Sequence, residues 1–243
     1  MHIVQKLRWL IISGITETIG ERPVNRFMQQ SNSPKTPPET SVPPKAEDSL
    51  SQQAEKLAGQ AASLAELYNK RESFDGCSLK KTATRTVNGR GCSTPKVLCV
   101  LEAADTEDDK SGLLMSGMTG HLFEKMLTAI GLNLNQNAYV TALIPWRPPG
   151  NRKPTEAEIA CCLPFLNKEI ELLKPQYILL FGSGLSRVLL GISALSKARG
   201  AWHTYRDIPV RVSIPPATLM KVPAQKKQAW EDLQALQKKM EQG

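Results

Sequence analysis

Aromatic residues, histidines and cysteines are all scarce in this sequence. Phenylalanine, tyrosine and tryptophan make up 5% of the 243 residues, which argues against a wide surface platform for stacking nucleic-acid bases. His121 and His203 have no partner at metal-ligand spacing. The five cysteines form no Cys-x-x-Cys pair. An odd cysteine count in a chain of this length, with a well-patterned core, argues against a disulfide scaffold.

Long apolar runs are also missing. The run from 10 to 15 follows two basic residues as in a signal peptide, but it is too short to span a bilayer. Glu17 and Glu21 are atypical of a transit peptide. Five apolar positions instead fit one face of a helix: Leu7, Leu10, Ile11, Ile15 and Ile19. We predict a helical docking arm over 1–28, no membrane partner and a cytoplasmic protein, or an organelle-matrix protein if the arm is a targeting segment.

The net charge of +8 favours a polyanionic partner, with DNA or RNA first. Residues 29–49 are rich in Ser, Pro and Thr and poor in large apolar residues, so we predict a disordered linker. Residues 50–243 then form one domain of ordinary size, which we expect to be a monomer. This domain begins with a helix over Leu50–Asn69, because apolar residues recur there at helical spacing.

From Val97 onward, strand patterns alternate with helix patterns. Apolar runs predict strands at Val97–Leu101, Tyr139–Ile144, Tyr177–Phe181 and Pro209–Ile214. Helical spacing predicts Thr119–Ile130, Thr155–Leu173, Gly184–Leu190 and Ala224–Met240. This alternation predicts an α/β fold with three αβα layers around a mostly parallel four-stranded sheet. A ligand is then expected at the carboxyl-terminal edge of the sheet.

The loop 145–154 follows the second of these strands and carries four prolines and three basic residues, Arg147, Arg152 and Lys153. Prolines restrict the backbone, so the loop is stiff, and the next helix opens with a capping-box pattern of Thr155 and Glu158. A stiff basic loop at this edge suits a phosphate, but a solvated connector fits the spacing equally well. A Gly-x-Gly at 182–184 lacks the rest of a dinucleotide fingerprint, so we interpret it as a tight turn.

The motif RPPGNR, with KPTEAEI and CLPFL after it, resembles the uracil-DNA glycosylase superfamily and specifically its iron–sulfur class, family 4. The resemblance continues through GLLMSGMTGHLFEKMLTAIGL, RGAWHTYRDIPV and SIPPATLMKVPAQKKQAWEDL, and it covers about Lys96 to Leu236. The N-terminal LRW…GITETIGERPVNRF segment resembles the arm of alphaproteobacterial members. The resemblance implies the glycosylase fold, base excision from DNA and a [4Fe–4S] cluster.

The chain departs from the family at the reactive positions. Only Glu102 remains as a candidate catalytic carboxylate, and a locally paired acid is an equal alternative. Asp105 replaces a glycine, Met115 a stacking phenylalanine, Ala142 the base-reading asparagine and Pro215 the catalytic histidine. Met115 equally fits core packing, which we favour. Alanine and proline offer no side-chain donor, so we expect the base-excision activity to be lost.

The cluster ligands are also incomplete. Cys77 and Cys162 match two ligand positions, whereas Phe74 and Trp146 occupy the other two. Two thiolates cannot hold a four-cysteine cube, so we predict no cofactor and no metal, with Trp146 filling the volume of the cluster.

Two segments are expected to touch nucleic acid: the proline loop and a wedge after the last strand (Arg147, Asn151, Arg152, Leu219, Met220 and Lys221). Alternatively, the wedge packs on the core, Arg152 caps the following helix, and Arg147 pairs with Glu102 or Asp105. Three functions stay open. The first is a non-catalytic nucleic-acid-binding relative, and the second is an active glycosylase with altered base choice. The third is a scaffold or assembly factor that uses the basic face or the N-terminal arm to hold a protein or RNA partner.

Overall fold

The computed structural model describes residues 44–242, and their side chains from Leu50 onward. The predicted arm over 1–28 and the linker up to 43 lie outside the described residues. Helix α1 (Pro44–Gly59) begins before the predicted end of the linker, so positions 44–49 are helical rather than disordered.

The single helix predicted over Leu50–Asn69 is wrong, because the chain forms two helices, α1 and α2 (Leu64–Ser73). Ser63 is the N-cap of α2, and its hydroxyl accepts a hydrogen bond from the backbone N–H of Glu66 at 3.3 Å. A serine cap satisfies one of the open N–H groups of a new helix, which favours a break at this point.

The sheet has six strands, β1 (Arg90–Gly91), β2 (Val97–Ala103), β3 (Ala138–Ile144), β4 (Tyr177–Phe181), β5 (Trp202–Tyr205) and β6 (Ile208–Ser213). Their order is β1-β3-β2-β4-β6-β5. The four predicted strands form the centre and run parallel, as expected, with Val97 beside both Ala138 and Tyr177.

The predicted count of four strands is too low, because one antiparallel strand is added at each edge of the sheet. Strand β1 has two residues and therefore leaves no pattern in the sequence. Strands β5 and β6 form a hairpin whose turn residues Arg206 and Asp207 have φ of 50° and 64°. Positive φ at both positions suits a tight hairpin, but Arg-Asp is not among the usual signals for one.

The remaining helices are α3 (Thr106–Ser111), α4 (Gly117–Thr128), α5 (Glu156–Leu173), α6 (Ser183–Leu190), α7 (Leu195–Ala198), α8 (Pro216–Lys221) and α9 (Lys226–Gln242). The capping box predicted for α5 is confirmed, with Thr155 and Glu158 bonding each other's backbone N–H. Pro164 inside α5 cannot donate to the carbonyl of Ala160, and the hydroxyl of Ser51 on α1 takes that place at 3.4 Å.

Both faces of the sheet are buried, which explains the uninterrupted apolar runs. Leu98 and Val100 of β2 face the core shared with α1, α2, α5 and α6, whereas Cys99 and Leu101 face the core shared with α4 and α9. The three-layer αβα class is therefore confirmed. Within the described residues, no helix is both long and apolar enough to cross a bilayer.

Candidate functional site

A groove of about 540 Å³ lies at the carboxyl-terminal edge of the sheet, where a ligand was expected. We call it the edge groove. It is bounded by the end of β2, the loop 145–154, the first turn of α4, and α8 (its lining includes Glu102, Asp105, Asn151, Arg152, Met220 and Lys221). Six of the predicted site residues therefore meet at one surface, although they are spread over more than a hundred positions of the sequence.

Asn151 connects the proline loop to α3 across this groove. Its side-chain carbonyl accepts a hydrogen bond from Nε of Arg147 at 2.8 Å. Its amide nitrogen lies 3.1 Å from the hydroxyl of Thr106. Asn151 also has a φ of 54°, a left-handed conformation that asparagine tolerates better than most residues. Asn151 therefore holds both the loop and the Arg147 side chain in position, in addition to its predicted role as a nucleic-acid contact.

The two arginines of the loop have different environments. Arg152 donates two hydrogen bonds to the buried Glu158 carboxylate, at 2.8 and 2.6 Å, and one to the carbonyl of Lys153. This pairing holds the pKa of Glu158 below its usual range. Arg152 therefore binds the first turn of α5, as in the alternative in which it caps the following helix.

Arg147 has no such acidic partner. Among the described residues, no carboxylate lies within 4 Å of its guanidinium, so the alternative pairing with Glu102 or Asp105 is wrong. The side chain is half-buried and oriented by Asn151. Arg147 thus has the more available charge of the two arginines.

Asp105 has a local structural role. Its carboxylate caps α3 by accepting hydrogen bonds from the backbone N–H groups of Glu107 and Asp108, at 2.8 and 3.0 Å. The Asp108 carboxylate accepts from Ser116 in turn, and burial raises the pKa of Asp108. The sequence did not predict α3, because TEDDKS has no apolar residue to reveal a helical period.

Glu102 lies against the first turn of α6. A Cβ added to Gly184 would overlap the Glu102 carboxyl group, so the glycine is what admits this side chain. Gly182 has a φ of 103°, which confirms the tight turn predicted for the Gly-x-Gly sequence. Within the described part of the chain Glu102 forms no ion pair, so the predicted local salt bridge is absent.

Three positions that the resemblance assigned to chemistry do not line the edge groove. Met115 and Ala142 are buried in the core below it, 8% and 2% exposed, so the core-packing interpretation of Met115 is confirmed. Pro215 packs against Gly182. Arg90, which the sequence analysis missed, fixes the Met115 segment by donating to the carbonyls of Leu114 and Met115 at 2.7 and 3.1 Å.

The predicted wedge is divided between the core and the surface. Leu219 is 2% exposed and packs with Ile214 and Ala229, so its predicted contact with nucleic acid is wrong. Met220 is 42% exposed and Lys221 is also exposed, and both line the edge groove. Helix α8 begins directly after Pro215, and its helical spacing buries Pro216 and Leu219 while Met220 and Lys221 remain exposed.

The four positions that the resemblance assigns to cluster ligands are buried in one core. Cys77 and Cys162 lie beside each other, and their interaction together with burial raises the pKa of the Cys162 thiol. Phe74 packs on Phe165 with ring centroids 5.5 Å apart, and Trp146 donates to the hydroxyl of Thr86 at 3.0 Å.

Two sulfur donors beside two aromatic rings do not fit the four thiolates of a cubane cluster. Among the residues that the structure describes, no three His, Cys, Asp or Glu side chains are grouped as a metal would require.

Comparison with known proteins points to one family. A family model for the uracil DNA glycosylase superfamily matches residues 89–234. The type-4 uracil-DNA glycosylase of Saccharolobus solfataricus is 29% identical over 146 residues, which are 58% of this chain and 67% of the relative. That of Sulfurisphaera tokodaii is 30% identical over 136 residues, 54% and 61% of the two chains. That of Pyrobaculum aerophilum is 28% identical over 179 residues, 70% and 91% of the two chains.

Proposed function

Since this chain belongs to the uracil DNA glycosylase superfamily, we propose that it is a member that binds DNA through the edge groove and does not excise bases. The observation that carries this proposal is the composition of the groove. It keeps cations that suit phosphate, whereas the positions that the resemblance gives to base recognition hold the buried Met115 and Ala142. The position that it gives to the catalytic histidine holds Pro215, which has no side-chain donor. The uracil-DNA glycosylase names of the relatives favour DNA over RNA as the partner.

Excision requires a flipped base to be held by its edge and its leaving group to be stabilised. Ala142 has no polar side-chain atom and is buried on β3. Pro215 has neither a side-chain donor nor a backbone N–H. Asp105 uses its carboxylate to cap α3. These residues support binding without base chemistry.

Binding itself requires groups that neutralise phosphates. Arg147 presents a guanidinium without an acidic partner in the described residues, and it is oriented by Asn151 on a proline-stiffened loop. Arg147 does not line the edge groove itself but bonds to Asn151, which does, and Lys153 and Lys221 lie exposed along that groove. Met220 supplies an exposed apolar side chain beside Lys221, as in proteins that insert a wedge between bases. We propose that these four residues form the DNA-binding surface.

The direct test is an excision assay on duplex and single strands that contain uracil, hypoxanthine or xanthine. We expect no base release, together with binding to plain duplex that weakens steeply with salt, because phosphate contacts release counterions. Base release that is lost in Glu102→Gln would contradict the proposal. It would establish the second candidate, an active glycosylase with altered base choice, which the position of Glu102 in the groove favours.

The proposal also covers the oligomeric state and the cofactor. We propose that the protein works as a monomer without an iron–sulfur cluster, because two of the four ligand positions hold Phe74 and Trp146. A scaffold or assembly role through residues 1–28 is the remaining alternative. Salt-independent, weak binding to DNA and RNA would favour that role over DNA binding.

A further inference from the structure

A second groove, of about 220 Å³, lies between α4 and α9. We call it the helix groove. Its floor is apolar and consists of Leu122 and Met126 from α4, Leu219 from α8 and Leu233 from α9. Leu122 and Met126 are only partly buried. Leu122, Met126 and Leu233 belong to predicted helices, and the fold leaves part of their apolar surface uncovered.

Exposed apolar side chains extend the floor of the helix groove. Trp230 forms one wall and is 40% exposed, although tryptophan on a surface helix normally finds cover. Met118 is 72% exposed and lies one turn before Leu122 on α4, so the two residues share a helix face. An apolar stripe of this kind, bordered by polar residues, is typical of a site for protein binding.

The charged border of the helix groove has one sign. Lys125 and Lys226 line it, and none of the acidic residues in 44–242 does. Neither ammonium group lies within 4 Å of a carboxylate in the part of the chain that the structure describes. Glu124, the sequence neighbour of Lys125, is already paired with Arg90 at 3.2 Å. The unpaired lysines therefore complement a negatively charged occupant.

We propose that the helix groove binds an amphipathic helix of a protein partner, with an apolar stripe on Trp230 and acidic residues beside Lys125 and Lys226. A groove between two helices accepts the apolar face of a third helix, which contacts it through residues three and four positions apart. Tryptophan, which here forms one wall of the groove, is among the residue types that contribute most to such binding. This inference does not depend on the proposed DNA binding.

The test uses the full chain and a fluorescein-labelled synthetic helix of about 18 residues, with leucines along one face and glutamates on both flanks. We expect saturable binding by fluorescence anisotropy. Trp230→Ala should weaken it at least about tenfold, and Lys125→Glu with Lys226→Glu by a similar factor. Trp202→Ala and Lys238→Glu are matched controls outside the groove and should leave the Kd unchanged.

Four results would overturn the proposal. The first is the absence of saturable binding, and the second is equal binding by a peptide whose glutamates are replaced by lysines. The third is a concentration-dependent dimer in sedimentation velocity that Trp230→Ala abolishes, because the occupant would then be a second copy of the chain. The fourth is displacement of the peptide by plain duplex DNA, because the lysines would then belong to a nucleic-acid surface.

Discussion

Arg152 donates two hydrogen bonds to the carboxylate of Glu158, at 2.8 and 2.6 Å, and thereby joins the proline loop to the first turn of α5. Glu158 is 5% exposed and also caps that helix, so the arginine neutralises a largely buried charge. This relationship separates the roles of the two loop arginines, which the sequence alone treats as equivalent.

The first prediction concerns the stability that Arg152 provides. Arg152→Ala should lower the Tm at neutral pH, because Glu158 would lose its main partner. The pKa of Glu158 is depressed in the folded state, so its contribution is present above the ordinary carboxyl pKa and is lost as the pH falls. The Tm difference between the variant and the wild type should therefore shrink below about pH 4 in a thermal melt series. Arg147→Ala is the control, with no such pH dependence.

The second prediction concerns DNA binding by the loop. Arg147→Ala should reduce the slope of log K against log salt by about one, since it removes one phosphate contact. Arg152→Ala should change that slope less, because Glu158 already neutralises its charge. Equal losses for the two variants would show that the pairing with Glu158 opens when DNA binds.

The third prediction concerns Asn151 as a positioning residue. Asn151→Gly keeps the left-handed backbone accessible but removes the bonds to Arg147 and Thr106. We expect weaker DNA binding with an unchanged salt slope, because the phosphate contact is still made but is less well oriented. Thr106→Val is the matched variant and should have a smaller effect of the same kind. An unchanged affinity in Asn151→Gly would contradict this role.

The fourth prediction concerns the contact between Glu102 and Gly184. Gly184→Ala should destabilise the protein by about 1–3 kcal/mol, because the new Cβ overlaps the Glu102 carboxyl group. In a Glu102→Ala background the same change should stabilise by up to about 1 kcal/mol, since alanine is the better helix former. Urea denaturation of the four proteins measures this change of sign. The same sign in both backgrounds would exclude the contact.

The fifth prediction concerns Trp146, which is 1% exposed at a position that the resemblance assigns to a cluster ligand. Trp146→Ala should cost about 3–5 kcal/mol because it opens a large cavity. Trp230→Ala removes a partly exposed tryptophan and should cost clearly less. Denaturant unfolding measures both.

Anaerobic purification should yield a colourless protein, and about four irons per chain with absorbance near 400 nm would contradict the proposed absence of a cluster.

The sequence by itself determined the centre of the fold. Strands β2 and β4 are buried on both faces and therefore appear as continuous apolar runs, which the sequence analysis located within two residues. The capping box of α5 and the tight turn at Gly182 were also predicted, because each depends on residues close together in the chain. The position of the edge groove follows from the parallel order of the strands.

Only the tertiary structure decided what depends on neighbours distant in sequence. Leu219 is buried because it contacts Ala229 of another helix. Trp230 stays 40% exposed because the described residues do not cover it. The edge strand β1 exists only because β3 lies beside it. Glu102 lies against Gly184 because the adjacent strands β2 and β4 end at the same edge. Local patterns carry no information on such contacts, since their energy arises when separate segments of the chain meet.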